Sequence, residues 1–147
     1  PRPAEGERRV RAHFVVNVHR SDAVHCARKT AEAIAREGWT ITVEDEVSAA
    51  TGIPTGSMEG ADLAVAFGGD GTLIRAAHLV GDGATPILGV YFGRFGFVTQ
   101  ATGDNAVPTI LAFGRGEAAV EERIMLRATL VRSGHPVAQL HALNEVT

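Results

Sequence analysis

The chain of 147 residues is 45% hydrophobic and 21% charged, with a net charge of −3. That apolar share supports a packed core and excludes a disordered chain, and the acidic balance argues against a nucleic-acid binder, whose surface carries a basic surplus. The lone cysteine, Cys26, cannot close an internal disulfide, no signal-peptide pattern is present, and no uncharged apolar run approaches the ~18 residues of a membrane span; the expectation is a cytoplasmic protein with neither membrane nor nucleic acid as partner.

Residues 1–9 are polar, Pro-containing and Arg-rich, and are expected to form a loose arm. Val10, Ala12, Phe14, Val16 and Val18 alternate with other residues, which predicts a strand. Ser21 can cap a helix whose first turn holds Asp22, and Val24, Ala27, Ala31, Ile34 and Ala35 form its apolar stripe. Gly38 can end that helix in a left-handed turn. Trp39, Ile41 and Val43 predict a second strand. Residues 44–60, with acids followed by Thr51, Gly52, Pro54, Gly56 and Gly60, predict a long loop.

Ala61–Phe67 is an apolar run that ends at Gly68, the pattern of a buried parallel strand. A helix follows from about Thr72 to Val80, then a short strand over Pro86–Val90. Asp104 or Asn105 can cap a further helix ending near Gly114. The order β-α-β-loop-β-α-β-loop-α predicts a doubly wound, mostly parallel α/β sheet with ligands at the carboxyl ends of its strands. After Gly116 the character changes. Arg123–Val131 and Val137–Asn144 predict two strands joined by a turn at Ser133–Pro136, the first strands of an all-β domain. The expected division is an arm over 1–9, an α/β domain over 10–116 and the start of a β domain over 117–147. The chain opens at Pro1 and stops at Thr147 inside a strand-like run, so a fragment or a partly ordered product is expected.

The segment Phe67-Gly68-Gly69-Asp70-Gly71-Thr72 carries the chemistry. Glycines allow close approach of the backbone to a ligand, and N–H groups at a strand-to-helix junction favour phosphate oxygens. Thr72 adds a hydroxyl. A carboxylate repels phosphate, so Asp70 suits a proton acceptor or a metal contact better than a phosphate cradle. A positioned base contributes ~10²–10⁴ in rate. The alternative is a tight turn in which Asp70 caps the helix. Lys29, the only lysine, lies mid-helix, so no phosphate-loop lysine exists, and no G-x-G-x-x-G follows the first strand.

A second glycine cluster, Gly89 to Thr99, follows the next strand and so lies on the same sheet edge. Arg94 can meet a phosphate; Phe95 and Phe97 can flank a base or fill the core. Asn144-Glu145, after Leu143, pairs an amide with an acid at a strand end and can bind ribose hydroxyls. The other polar residues have plainer readings. His13, His19, His25, His78, His135 and His141 lack zinc-site spacing, and Cys26 reads as a small helix side chain. Glu44, Asp45 and Glu46 read as a solvated loop face, with a role in metal or substrate approach as the alternative; Arg8, Arg9 and Arg11 read as solvated, and Arg20, just after the first strand, is better placed to approach phosphate.

With Gly68–Thr72, Gly93–Phe97 and Asn144-Glu145 in this order, the sequence resembles the NAD kinase family from about Val10 to Thr147. Leu73, Arg75, Ala76, Ala77 and Pro86–Gly89 extend the match. The resemblance implies an N-terminal α/β domain, a C-terminal all-β domain and a site between them. It assigns Asp70 as proton acceptor for the 2′-hydroxyl of the adenosine ribose. Asp70, Gly71, Arg75, Phe97, Asn144 and Glu145 match positions that contact NAD, and Gly68, Gly69 and Thr72 would face the phosphoryl donor. That donor is ATP with a divalent metal, magnesium by expectation, or polyphosphate; the product is NADP. A homo-dimer or tetramer is implied for the full-length protein, and this stretch alone is expected to lack part of the machinery. Tyr91 departs from the asparagine that many relatives carry there. The first motif is shared with lipid and sugar kinases, which are the second reading. A non-catalytic dinucleotide-binding module is the third.

Overall fold

The computed structural model describes residues 9–93 and 101–143. Strand β1 (Arg11–Val16) leads through α1 (Ser21–Arg36) to β2 (Thr40–Val43), then α2 (Asp45–Thr51), β3 (Leu63–Gly68), α3 (Asp70–Val80) and β4 (Ile87–Tyr91). A two-residue strand, β5 (Ala101–Thr102), precedes α4 (Ala106–Gly114), and a hairpin of β6 (Leu126–Arg132) and β7 (His135–Ala142) follows. The first five strands form one sheet in the order β2-β1-β3-β4-β5, every neighbouring pair parallel. The hairpin is a separate antiparallel sheet. The doubly wound α/β class expected from the sequence is what the chain adopts.

Alternation along the strands sorts the core into two layers. Phe14, Val16, Leu63, Val65 and Phe67 face α1 and α4, packing against Ala27, Ile34 and Ile110. The rings of Phe14 and Phe67 meet at 4.7 Å between centroids and are tilted by 52°. Val15 and Ala66 face the other way, against Leu73 and Ala76 of α3 and against Tyr91. All six residues of β3 are buried, as a central parallel strand covered on both faces requires. Each large core side chain contributes about 1.5–3 kcal/mol by leaving water.

Helix α1 starts one residue earlier than its sequence suggests. Ser21 is its first residue, not its cap; Arg20 holds the cap position without a side-chain bond. Asp22 lies in the first turn, as expected, and its Oδ1 accepts the N–H of Ala23 at 2.8 Å. The buried stripe is Ala23, Ala27, Thr30, Ala31 and Ile34, with Val24 at its edge and Ala35 exposed. Gly38 takes φ 87° after the helix, and its N–H reaches the carbonyl of Ala35.

The segment 44–60 is not all loop. Asp45–Thr51 is helical because Val47 and Thr51, one turn apart, both bury against the body, and Gly52 closes the helix at φ 75°. The Thr51 hydroxyl donates to the carbonyl of Val47 at 2.7 Å and accepts from Ile53 N–H at 3.2 Å. Arg28 of α1 adds bonds to the carbonyls of Ala50 and Thr51, where a helix end carries partial negative charge. These partners are distant in sequence, so local pattern does not reveal the helix.

Helix α3 begins at Asp70, two residues before the expected start. The hairpin turn is shorter than expected: Ser133 and Gly134, both at positive φ, make it alone, while His135 and Pro136 belong to β7. The apolar side chains Leu130, Val137 and Leu140 of the hairpin are exposed. His78 on α3 donates through Nε2 to the carbonyl of His141 at 3.0 Å, tying the hairpin to the helix.

Candidate active site

Strands β2 and β3 lie on opposite sides of β1, so the chain leaves the carboxyl ends of β1 and β3 in different directions and opens a crevice between them. A cleft of about 310 Å³ occupies that place. Asn17 and His19 line it after β1, Glu46 from α2, and Gly71, Thr72 and Arg75 from α3. Cavities of about 540 and 620 Å³ lie elsewhere, by the hairpin and beside His13, but neither is lined by Gly68–Thr72. Position at the strand ends, not size, marks the smaller cleft.

The glycines of the first motif serve two purposes. Gly68 ends β3, and a Cβ there would collide with the side chain of Thr72 and come within 3.2 Å of the Cβ of Asn17. Its lack of a side chain is a packing requirement. Around Gly69 and Gly71 an added Cβ would meet nothing within 4 Å. Neither takes positive φ, so folding alone does not call for glycine at either position. No side chain caps the start of α3, and the N–H groups of a helix's first turn have no partner within the helix. The result is a bare, electropositive helix start beside a cleft.

Asp70 is the first residue of α3, inside the helix and not its cap, where the helix dipole favours its charge. It is half-buried and is not among the residues lining the β1/β3 cleft. Its carboxylate turns toward β4 instead, where Oδ1 accepts the Tyr91 hydroxyl at 3.1 Å. Arg75, exposed on the next turn, does line the cleft, and its guanidinium pairs with the carboxylate of Glu44. Glu44 is therefore not a solvated loop acid: it holds the cap position of α2 and bridges to α3.

Behind Glu44 lies His13, buried in β1 with Nδ1 3.0 Å from the Thr42 hydroxyl. Burial lowers its pKa from 6.5; the negative charge of Glu44 opposes that shift and Arg11 adds to it. Arg20 is partly exposed and pairs with Asp22 at 2.9 Å, and its guanidinium lies over Gly93, where an added Cβ would come within 3.1 Å of Nη1. It thus stands beside the second glycine of the Gly89 to Thr99 cluster. Burial pushes the Cys26 thiol up, the reverse of what a nucleophile needs. Among the described residues no three His, Cys, Asp or Glu side chains gather as a metal site would need.

Arg94, Phe95, Phe97, Asn144 and Glu145 lie outside the described residues. Their neighbours do not. β4 delivers Tyr91, Phe92 and Gly93 to the same sheet edge as Gly68, with the Phe92 N–H on the carbonyl of Gly68 at 3.0 Å. Leu143 packs against the layer that holds Leu73, Ala76 and Tyr91. Tyr91, two residues before Gly93, and Leu143, one residue before Asn144, therefore both lie in the layer on the inner face of α3. Sequence reasoning missed two partners, Tyr91 for Asp70 and Glu44 for Arg75. The available signals were a phenol at a strand's carboxyl end and an acid at the same edge after β2.

Sheet order and a glycine-lined helix start together define a doubly wound α/β protein with a crevice at the β1/β3 switch point. The family model described as the ATP-NAD kinase N-terminal domain matches residues 50–118. An NAD kinase from a Geobacter species is 39% identical over 137 residues, covering 88% of this chain and 48% of the relative. The NAD kinase of Citrifermentans bemidjiense matches to the same extent. Among solved structures, yeast NADH kinase complexed with NADH superposes with a TM-score of 0.79 at 16% identity, over 95% of this chain and 48% of that one. An NAD kinase from Archaeoglobus fulgidus in complex with ATP gives 0.52 at 20%, over 83% and 41%. At those identities the two structures speak to the fold alone. The chain is thus similar to NAD kinases, and it spans about half the length of the curated relatives it matches.

Proposed function

We propose that the complete protein transfers a phosphoryl group from ATP or polyphosphate to the 2′-hydroxyl of the adenosine ribose of NAD, giving NADP. One observation carries this reading. Asp70 stands at the start of α3 between two glycines whose side-chain positions face open space, on a chain 39% identical to an NAD kinase.

In this reading the 2′-hydroxyl gives its proton to the Asp70 carboxylate as its oxygen attacks the terminal phosphorus, and ADP or a shortened polyphosphate leaves with the bridging oxygen. Gly71 and Arg75 join Asp70 in holding NAD, with Phe97, Asn144 and Glu145 completing that side. Gly69 and Thr72 present N–H and hydroxyl donors to the phosphates. Gly68 acts through its backbone, since Thr72 fills the space beside it. Positioning and charge stabilisation do most of the work in such transfers. A divalent ion, magnesium by this reading, arrives with ATP as part of the substrate.

The division into a 10–116 α/β domain and a β domain beginning at 117 belongs to the same proposal, as do a cytoplasmic setting and a homo-oligomer of the full-length protein. Supporting it, the exposed apolar hairpin face suits strands that pack further. The test incubates the complete protein with NAD, ATP and magnesium and measures NADP. Asp70→Asn should lower kcat by about 10²–10⁴ while NAD affinity changes little. Near-normal turnover in that variant refutes the base role, and phosphorylation of a lipid or sugar in place of NAD refutes the substrate.

A further inference from the structure

The geometry points to Tyr91 as a positioning residue that fixes the Asp70 carboxylate for proton transfer; this rests on the base role given to Asp70 above. β4 ends on Tyr91, directly beside Gly68 in the parallel register. The ring lies on the α3 side of the sheet among Val15, Ala66, Leu73 and Ala76, and the residue is 6% exposed. Its hydroxyl donates to Oδ1 of Asp70 at 3.1 Å.

A second observation concerns the room made for that ring. Gly89 precedes Tyr91 by two residues and so faces the same side of the strand. A Cβ at Gly89 would come within 2.9 Å of Tyr91 Cε2 and 3.5 Å of Leu73 Cδ1. Glycine inside a buried strand weakens it and commonly marks a close approach. Here the approach is by the ring of Tyr91, so the strand gives up a side chain to seat it.

The seat has a chemical consequence. A carboxylate at a helix start can rotate about two torsions, and only some orientations aim an oxygen at an incoming hydroxyl. Tyr91 engages one oxygen and is itself clamped by packing, which leaves Oδ2 to take the proton. A phenol is a neutral donor, so it restrains the carboxylate without neutralising it, as a lysine or arginine would tend to do.

The experiment compares Tyr91→Phe, Asp70→Asn and the double variant in the complete protein with NAD, ATP and magnesium. Tyr91→Phe keeps the ring and its packing, so thermal stability and the KM for NAD should stay near wild type. Its kcat should fall about 10- to 100-fold, the range for losing a hydrogen bond to a charged group. In the Asp70→Asn background, followed by single turnover with radiolabelled ATP, the same change should have little further effect. Tyr91→Phe with kcat within twofold of wild type overturns the positioning role, as does full additivity in the double variant. If Asp70→Asn itself turns over normally, the base assignment fails, which is a separate and visible outcome.

Discussion

Gly71→Ala is the substitution that best separates folding from function in this site. Gly71 is the second residue of α3, without positive φ, and an added Cβ meets nothing within 4 Å. Alanine is favoured over glycine in helices by about 0.8–1.0 kcal/mol and restricts the unfolded chain, so the variant should be more stable by roughly 0.5–1 kcal/mol. For a chain of this size that raises Tm by on the order of 2 °C. Gly68→Ala is the control with the opposite sign. Its Cβ would approach the Cβ of Thr72 to 2.9 Å, an overpacking that costs about 1–3 kcal/mol. Thermal unfolding of both variants measures these shifts. Turnover should diverge from stability: the extra methyl of Gly71→Ala occupies the approach to the helix start, so the KM for NAD should rise at least tenfold in a better-folded protein. A Gly71→Ala enzyme with higher Tm and unchanged kinetics would refute the view that this glycine is kept bare for a ligand.

The pair of Glu44 and Arg75 joins side chains that are 31% and 46% exposed, so its worth to stability is at most about 1 kcal/mol. Glu44→Gln should therefore leave Tm nearly unchanged yet raise the KM for NAD several-fold by releasing the guanidinium, with Arg75→Ala raising it further; an unchanged KM in Glu44→Gln removes the positioning role. His13 supplies the pH dependence. Its folded pKa lies below 6.5, so its contribution is fully present above pH 6.5 and is lost as pH falls below it, levelling off beneath the folded value. The urea midpoint should drop between pH 7.5 and 5.5, and drop less in His13→Gln; equal slopes in the two proteins contradict this.

The fold was legible where burial follows a local period. Phe14 and Val16 alternate in β1, the run over Ala61–Phe67 announces a strand covered on both sides, and Gly38 marks the end of α1. Helix α2 escaped notice because its support is remote: Arg28 on α1 satisfies its last carbonyls, and only two of its seven residues are buried. β5 escaped because two residues carry no period; pairing with Val90 and Tyr91 makes Ala101–Thr102 a strand. Ser21 misled because a capping residue type is also tolerated inside the first turn, and the cap position fell to Arg20.

The site was legible as a set of residue types and not as an arrangement. Because α3 starts at Asp70, Gly71 and Arg75 stand four apart on one helix face, and both line the β1/β3 cleft. The same geometry separates Asp70 from Arg75 by five residues, roughly 140° around the helix, which turns Asp70 away from that cleft toward Tyr91. A ligand that touches both must therefore cross the start of α3 rather than lie along one side of it. The residues it would cross include Gly69 and Gly71, the two whose side-chain positions are open. Bare glycines on either side of the acid thus follow from where the acid points. A chain with the carboxylate facing the cleft would have no need of the second glycine, and a crystal structure with NAD bound wholly on one side of α3 would undo this account.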